Sequence, residues 1–399
     1  MNTELVFNSS RLKLARERRA FTIKALAESV GMTTRTLSAY ENIGKNKKSS
    51  PPPPSTLKKI AQVLNYPEAF FLGEDIEEID SECVSFRSMK AMKASQKNAV
   101  LRAAEIAETL FNPWIEANFE LPSTSTDLYN FRENEIESPE TASRVLREKW
   151  GLGELPIKNM IHLLEAKGIK VFSLEEKNKE VDAFSFWRKD TAFIFLNTQK
   201  SAERSRFDAA HELGHLVLHK HGIQVSEETD VKKDMNEETG EEKNKRAVER
   251  EADRFASAFL MPESSVRANV PRFVTIENLI QLKKIWNVSV ASLVRRLFDL
   301  ELITEWHYRS LNIEMSKRGM LKKEPEGIAK EKSQILDKVF KSLWQEGVTR
   351  NQIAQELNLP VDEIDQLTFN LAFIGKTIQG TSQQKNITKR QANLTLVKN

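Results

Sequence analysis

Apolar positions recur at helical spacing from the start of the chain. Leu12, Leu14 and Ala15, then Ile23, Leu26, Ala27 and Val30, fit short helices within a small helical domain over 8–73. Pro51–Pro54 interrupts that domain with a stiff extended loop. Ala99, Leu101, Ala103, Ala104, Ile106, Ala107, Leu110 and Phe111 predict a longer helix over 95–119 that ends near Pro113. The pattern then alternates. Ile157–Lys167 reads as an amphipathic helix, Gly168 as its stop and Ile169–Ser173 as a strand. Asp182–Arg188 and Ala192–Asn197 read as a hairpin turning at Lys189-Asp190. Residues 203–221 and 247–260 are helical in pattern. Between them Ile223–Arg246 holds eight acidic and five basic residues with little to bury, which predicts a mobile surface loop. Residues 275–375 are helical again, and the polar end is expected to be disordered. No solenoid-type repeat is present.

These elements give a mainly α fold with one small β-sheet, an α+β class. The chain of 399 residues suits two to three domains at ~150 residues each. With 40% hydrophobic and 29% charged residues it can bury a real core. No apolar run reaches the ~18 residues of a membrane span, and the first residues lack the basic-then-apolar order of a signal peptide. Cys83 is the only cysteine, which rules out an intrachain disulfide and a thiolate-rich zinc site. A cytoplasmic location without membrane partners is expected. The net charge of +3 decides nothing, but its distribution does. Residues 1–75 carry twelve Lys/Arg against seven Asp/Glu, and beyond Asp365 only basic charges occur. Basic ends fit a polyanionic partner.

The first helices carry a recognisable chemistry. Thr22 is placed to cap a helix through Val30, and Gly31 supplies the tight turn. Thr33 or Thr34 can cap the next helix. Leu26, Val30, Met32 and Leu37 fit the inner face of two crossed helices. That leaves Thr33, Thr34, Arg35 and Ser38 to reach base edges in a major groove, with Lys45, Lys47 and Lys48 in a following loop for phosphates. The stretch resembles XRE, or lambda-repressor-like, helix-turn-helix domains. The resemblance rests on Arg11-Leu12-Lys13 with Ala15-Arg16, Leu26-Ala27-Glu28, Val30-Gly31-Met32, Ser38-Ala39-Tyr40-Glu41-Asn42, and Leu57 with Ile60-Ala61. The loop Ile43–Pro54 is longer than is usual there. A five-helix fold that binds double-stranded DNA, with a possible homodimer on its operator, is what the resemblance implies.

Phe207–His221 contains His211-Glu212-Leu213-Gly214-His215. Histidines four apart on a helix stand one turn apart on one face, a spacing that suits two ligands of tetrahedral zinc. Glu212 follows the first ligand and can act as general base toward a metal-activated water. A third ligand can come from His219 or His221, although Leu218 stands where a turn through His221 would need glycine. It can also come from Glu249 or Glu251 in the next helix. The apolar stripe there is Ala252, Phe255, Ala256, Phe259 and Leu260. Glu249 lies roughly 50° from its centre and Glu251 roughly 110°. The geometry favours Glu249, with Asp253 one turn on holding a ligand histidine's other nitrogen.

From about Pro139 to Pro262 the chain resembles the ImmA/IrrE metallopeptidases. The features are Val181-Asp-Ala-Phe-Ser, Ile194-Phe-Leu-Asn, Arg206-Phe-Asp-Ala-Ala-His-Glu-Leu-Gly-His and Phe259-Leu-Met-Pro. The resemblance implies a gluzincin-like site with two histidines and a glutamate on Zn2+. It also implies a peptidase that cleaves a regulator, such as a repressor or antitoxin, in bacteria or phage. No oxyanion-stabilising residue stands out.

Thr349–Leu367 repeats a helix-turn-helix rhythm, but Asp362, Glu363 and Asp365 line its second helix and would repel phosphate, so a packing role is expected. Trp286, Phe298, Trp306 and Trp344 read as core. The expected organisation is a helix-turn-helix domain over 1–75, a helical linker over 76–138 and a peptidase domain over 139–271. A helical domain over 272–376 and a basic tail over 377–399 follow. The functional expectation is a transcriptional regulator with a zinc endopeptidase that cuts a partner regulator or itself. The alternative is a regulator whose zinc is structural or sensory. An intact Glu212 favours hydrolysis, because a structural site needs no base.

Overall fold

The computed structural model describes residues 6–43, 50–80, 93–128, 138–174, 183–219 and 238–372, with the backbone alone over 238–245. Lys45, Lys47, Lys48, His221, most of the charged stretch after Gly222 and the basic tail lie outside the described residues.

The N-terminal unit packs α1 (Ser9–Arg18), α2 (Ile23–Val30), α3 (Thr34–Glu41) and α4 (Pro54–Leu64) around Leu12, Leu26, Leu37, Ile60 and Leu64, all fully buried. Thr22 caps α2 through the Ala25 amide, and Thr33 caps α3 through the Thr36 amide, both at 3.1 Å. Gly31 takes φ +78° between them, a conformation that costs a side-chain-bearing residue dearly. Arg16 ties the corner together, holding Glu41 at 2.5 and 2.9 Å and the Phe21 carbonyl at 2.9 Å.

The helix beginning at Ala94 does not end at Pro113. α5 (Ala94–Ile106) passes through one π turn, Ala107–Phe111, into α6 (Asn112–Asn118). Pro113 stands in the first turn of α6, where its missing N–H is tolerated, and the wide π turn absorbs the change of register. Arg102 on α5 reaches back to Glu17 of α1 at 2.8 Å.

After α7 (Pro139–Lys149) and α8 (Met160–Ala166) comes a three-stranded sheet. Its strands are β1 (Lys170–Ser173), β2 (Ala183–Arg188) and β3 (Thr191–Leu196), in the order β1-β3-β2. β1 runs parallel to β3, and β2 pairs antiparallel with it across a turn in which Lys189 takes φ +50°. Both faces are covered, so the strands are apolar almost throughout. Phe184 stacks on Phe195 (centroids 4.8 Å) and Phe186 on Phe193 (5.3 Å), while Phe111 of the π turn closes on Phe172 (6.0 Å). The opposite face, which includes Ser185 and Trp187, meets α9 (Ala202–Leu218): Trp187 Nε1 donates to the Leu216 carbonyl at 3.3 Å.

α10 runs from Glu238 to Leu260 and lies against α9. It therefore starts well inside the stretch read as a loop up to Arg246. Charged residues of good helix propensity, Glu241, Glu242, Lys243 and Lys245, extend a helix already anchored by its apolar C-terminal half. Guanidinium groups satisfy carbonyls near the end of α10: Arg147 reaches Phe259 at 2.5 Å and Arg296 reaches Met261 at 3.0 Å. Six further helices follow, α11 (Glu263–Asn269), α12 (Ile276–Leu282), α13 (Val290–Asp299), α14 (Glu305–Lys317), α15 (Gln334–Gln345) and α16 (Arg350–Glu356), and the last described helix is α17 (Val361–Thr368).

α17 docks on the N-terminal unit. Glu363, fully buried, accepts from Arg18 at 2.8 Å and from the Tyr66 hydroxyl at 2.7 Å, and Asp362 pairs with Arg19 at 2.6 Å. Trp286 is fully buried and Phe298 partly so, but Trp306 and Trp344 are 78% and 63% exposed. The inward face of α14 is Leu311 and Met315, and five residues of helix turn Trp306 roughly 140° from Leu311. Trp344 stands in the last turn of α15. No helix among the described residues is long and apolar enough to cross a membrane.

Candidate metal centre

Two helices build the site. α9 is capped by Ser201, which accepts from the Arg204 amide at 3.2 Å, and is held by buried Ala209, Ala210, Leu213, Leu216 and Val217. α10 offers Ala252, Phe255, Ala256, Phe259 and Leu260, all fully buried. They are in close contact at Gly214. A Cβ there would stand 3.3 Å from both Cα and O of Ala252 and 3.1 Å from Phe255 Cδ1. A side chain there would require its neighbours to give by a few tenths of an ångström, which glycine avoids.

That approach brings three donor atoms together. His211 Nε2 and His215 Nε2 are 3.0 Å apart, and Glu249 Oε2 lies 3.3 Å from the first and 3.8 Å from the second. These three are the described residues whose possible ligand atoms cluster within 4.8 Å of one another. Tetrahedral zinc with bonds of ~2.0–2.1 Å sets neighbouring ligand atoms about 3.3 Å apart, so two imidazoles and a carboxylate at these spacings fit the ion. Asp253, one turn past Glu249, meets His211 Nδ1 at 2.9 Å, where it fixes the ring and leaves Nε2 facing the cluster.

Charge follows the same layout. Burial alone would lower the His211 imidazole, but hydrogen bonds with Asp253 and Glu249 outweigh it and hold its pKa at about 10. Burial pushes His215 down to about 4, with the neighbouring His211 adding to the effect. Burial would raise Glu249, yet the two histidines pull it down to about 2. An anionic carboxylate beside imidazole nitrogens is an environment that favours a cation.

Glu212 is 3% exposed and lines the same groove, of about 530 Å³, as His211, His215 and Glu249. Ser185 on β2 donates to its Oε2 at 2.7 Å. The groove is also lined by Ser289, Ala291 and Ser292 at the start of α13 and by Met320 and Leu321 after α14.

Glu251 and His219 stand apart from the three-atom cluster. His219 Nδ1 is 3.0 Å from His215 Nδ1, and its Nε2 is 3.2 Å from Glu251 Oε2. Sequence reading missed two contacts here. The spacing His211, His215, His219 repeats every four residues and could have signalled a third ring beside that of His215. Ser185 carried no such signal, because its approach to Glu212 depends on how the sheet packs on α9. In the N-terminal unit Thr33, Thr34 and Arg35 are exposed on α3 and Ser38 is half-buried, while Leu37 faces the core.

Comparison with known families assigns both units. Residues 10–74 match a helix-turn-helix domain, and residues 164–298 match the IrrE N-terminal-like domain. The second match takes in the sheet, both metal-site helices and the chain through most of α13. No curated protein matches the chain. The chain thus joins a helix-turn-helix DNA-binding domain of the XRE type to an IrrE/ImmA-like domain of the metallopeptidase class.

Proposed function

We propose that this chain is a transcriptional regulator whose zinc-dependent endopeptidase centre cuts a partner regulator protein. The convergence of His211 Nε2, His215 Nε2 and the Glu249 carboxylate beside Glu212 carries this reading. In it, His211, His215 and Glu249 hold Zn2+, Asp253 orients His211, and α3 presents Thr33, Thr34, Arg35 and Ser38 to operator DNA. Bound zinc would supply Lewis acidity toward a peptide carbonyl and acidify a water beside it. Glu212 takes the proton of the attacking water and returns it to the departing amine nitrogen. Ser185, donating to Glu212 Oε2, keeps the carboxylate turned toward the groove.

The test uses the full chain with co-expressed products of neighbouring genes, followed by mass spectrometry of new N-termini. The parent is expected to cut one such protein. Glu212→Gln should cut it roughly 10²–10⁴-fold more slowly, since that is what a positioned base contributes, while keeping its fold and DNA binding. Equal cleavage by parent and variant would remove Glu212 from the mechanism. Unchanged gene control by Glu212→Gln under every condition would leave the zinc structural or sensory.

A further inference from the structure

His219 is the first residue past α9. Its backbone has left the helix (φ −115°, ψ 130°), yet its N–H still bonds to the His215 carbonyl at 3.1 Å. This local turn brings the imidazole against that of His215, with ring centroids 5.0 Å apart and the two Nδ1 atoms at 3.0 Å. Beyond it, His219 Nε2 meets Glu251 Oε2 at 3.2 Å. His219 is 9% exposed, and half of the Glu251 side chain faces solvent. Neither residue belongs to the three-atom cluster.

The proton inventory of this row has one solution. Two imidazole nitrogens at hydrogen-bond distance need one donor and one acceptor. A histidine that gives Nε2 to a metal carries its proton on Nδ1. His215 is then the donor and His219 Nδ1 the acceptor. His219 must carry its own proton on Nε2, which is where the Glu251 carboxylate accepts.

We propose that His219 and Glu251 form a positioning relay that fixes the Nδ1–H tautomer of His215 and so aims His215 Nε2 at the metal. The relay rests on the zinc-centre reading above. It makes the two ligand histidines unlike. His211 is backed directly by a carboxylate, Asp253, whereas His215 is backed by a neutral ring with its carboxylate one ring further out. His219 should therefore matter more to the metal than Glu251 does.

The experiment measures zinc affinity of the full chain by competition with a chromophoric chelator, alongside the thermal midpoint of each metal-free variant. Asn offers Oδ1 where His offers Nδ1, so His219→Asn keeps the acceptor, and His219→Leu removes it. His219→Leu is expected to bind zinc roughly 10–100-fold more weakly, and His219→Asn and Glu251→Gln to stay within about threefold of the parent. Gln at 251 still presents an oxygen to His219 Nε2. If the Leu variant does not fold, His219→Gln replaces it, since its amide reaches the Nε2 position and leaves the Nδ1 position empty; the same loss is expected. Parent-like affinity without the acceptor, or equal loss with Asn, overturns the relay and leaves the zinc centre standing. A parent that binds no zinc overturns the zinc centre, and the relay with it.

Discussion

Gly214 shows how one residue sets the spacing of the candidate metal centre. Its missing Cβ lets α9 and α10 cross with Ala252 backbone atoms 3.3 Å from where that carbon would be. Backbone atoms cannot rotate aside as a side chain can. Gly214→Ala gains up to ~1 kcal/mol of helix propensity, but overpacking at such a crossing costs typically ~1–3 kcal/mol. The helices should part slightly and carry Glu249 away from the histidines. Lower urea stability together with weaker zinc retention is expected, and a variant matching the parent in both would show that the crossing has slack. At this scale the sequence was legible wherever a side chain stands on a regular helix. His211, His215, Glu249 and Asp253 follow from about 100° per residue and an apolar stripe. His219 and Ser185 did not, because their contacts depend on a helix end and on a sheet packing against a helix. The four-residue spacing hints at His219 but does not place a residue whose backbone has left the helix, and nothing local encodes Ser185.

Among elements, α17 has the clearest consequence for stability. Its acidic positions repel phosphate in the sequence; in the fold Asp362 and Glu363 meet Arg18, Arg19 and Tyr66 of the N-terminal unit, and Asp365 pairs with Arg350 of α16. Glu363 and the Arg18 side chain are almost wholly buried. Removing one partner of a buried pair strands the other charge, which typically costs ~3–5 kcal/mol. Glu363→Ala should lower the thermal midpoint clearly and Glu363→Gln less, as the amide still accepts from Arg18. Differential scanning calorimetry checks this, and an unchanged midpoint in Glu363→Ala would mean that the docking adds nothing. The β-hairpin and the two metal-site helices could be read from periodicity. The passage of α5 into α6 through a π turn could not, since proline ordinarily stops a helix. The start of α10 at Glu238 was hidden too, because charged residues that form helix well look like a solvated loop.

The whole molecule is linked by polar contacts between distant parts of the chain. Glu17 meets Arg102, Trp114 donates to Glu356, and the Glu363 carboxylate joins α17 to the DNA-binding unit. Arg206, on the metal-site helix, pairs with Glu331 of the segment before α15. Residues 10–74 and 164–298 thus lie in one connected fold that joins a helix-turn-helix domain to an IrrE/ImmA-like domain with a candidate metal site. The proposed regulator depends on zinc at that site. Its most direct test is the zinc content of the purified full chain, by mass spectrometry of the metal, for parent, Glu249→Gln, Glu251→Gln and Glu212→Gln. The expected result is about one zinc per chain in the parent, Glu251→Gln and Glu212→Gln, and far less in Glu249→Gln, as befits three protein ligands. A parent without zinc, or a Glu249→Gln variant that keeps it while Glu251→Gln loses it, would contradict the assignment.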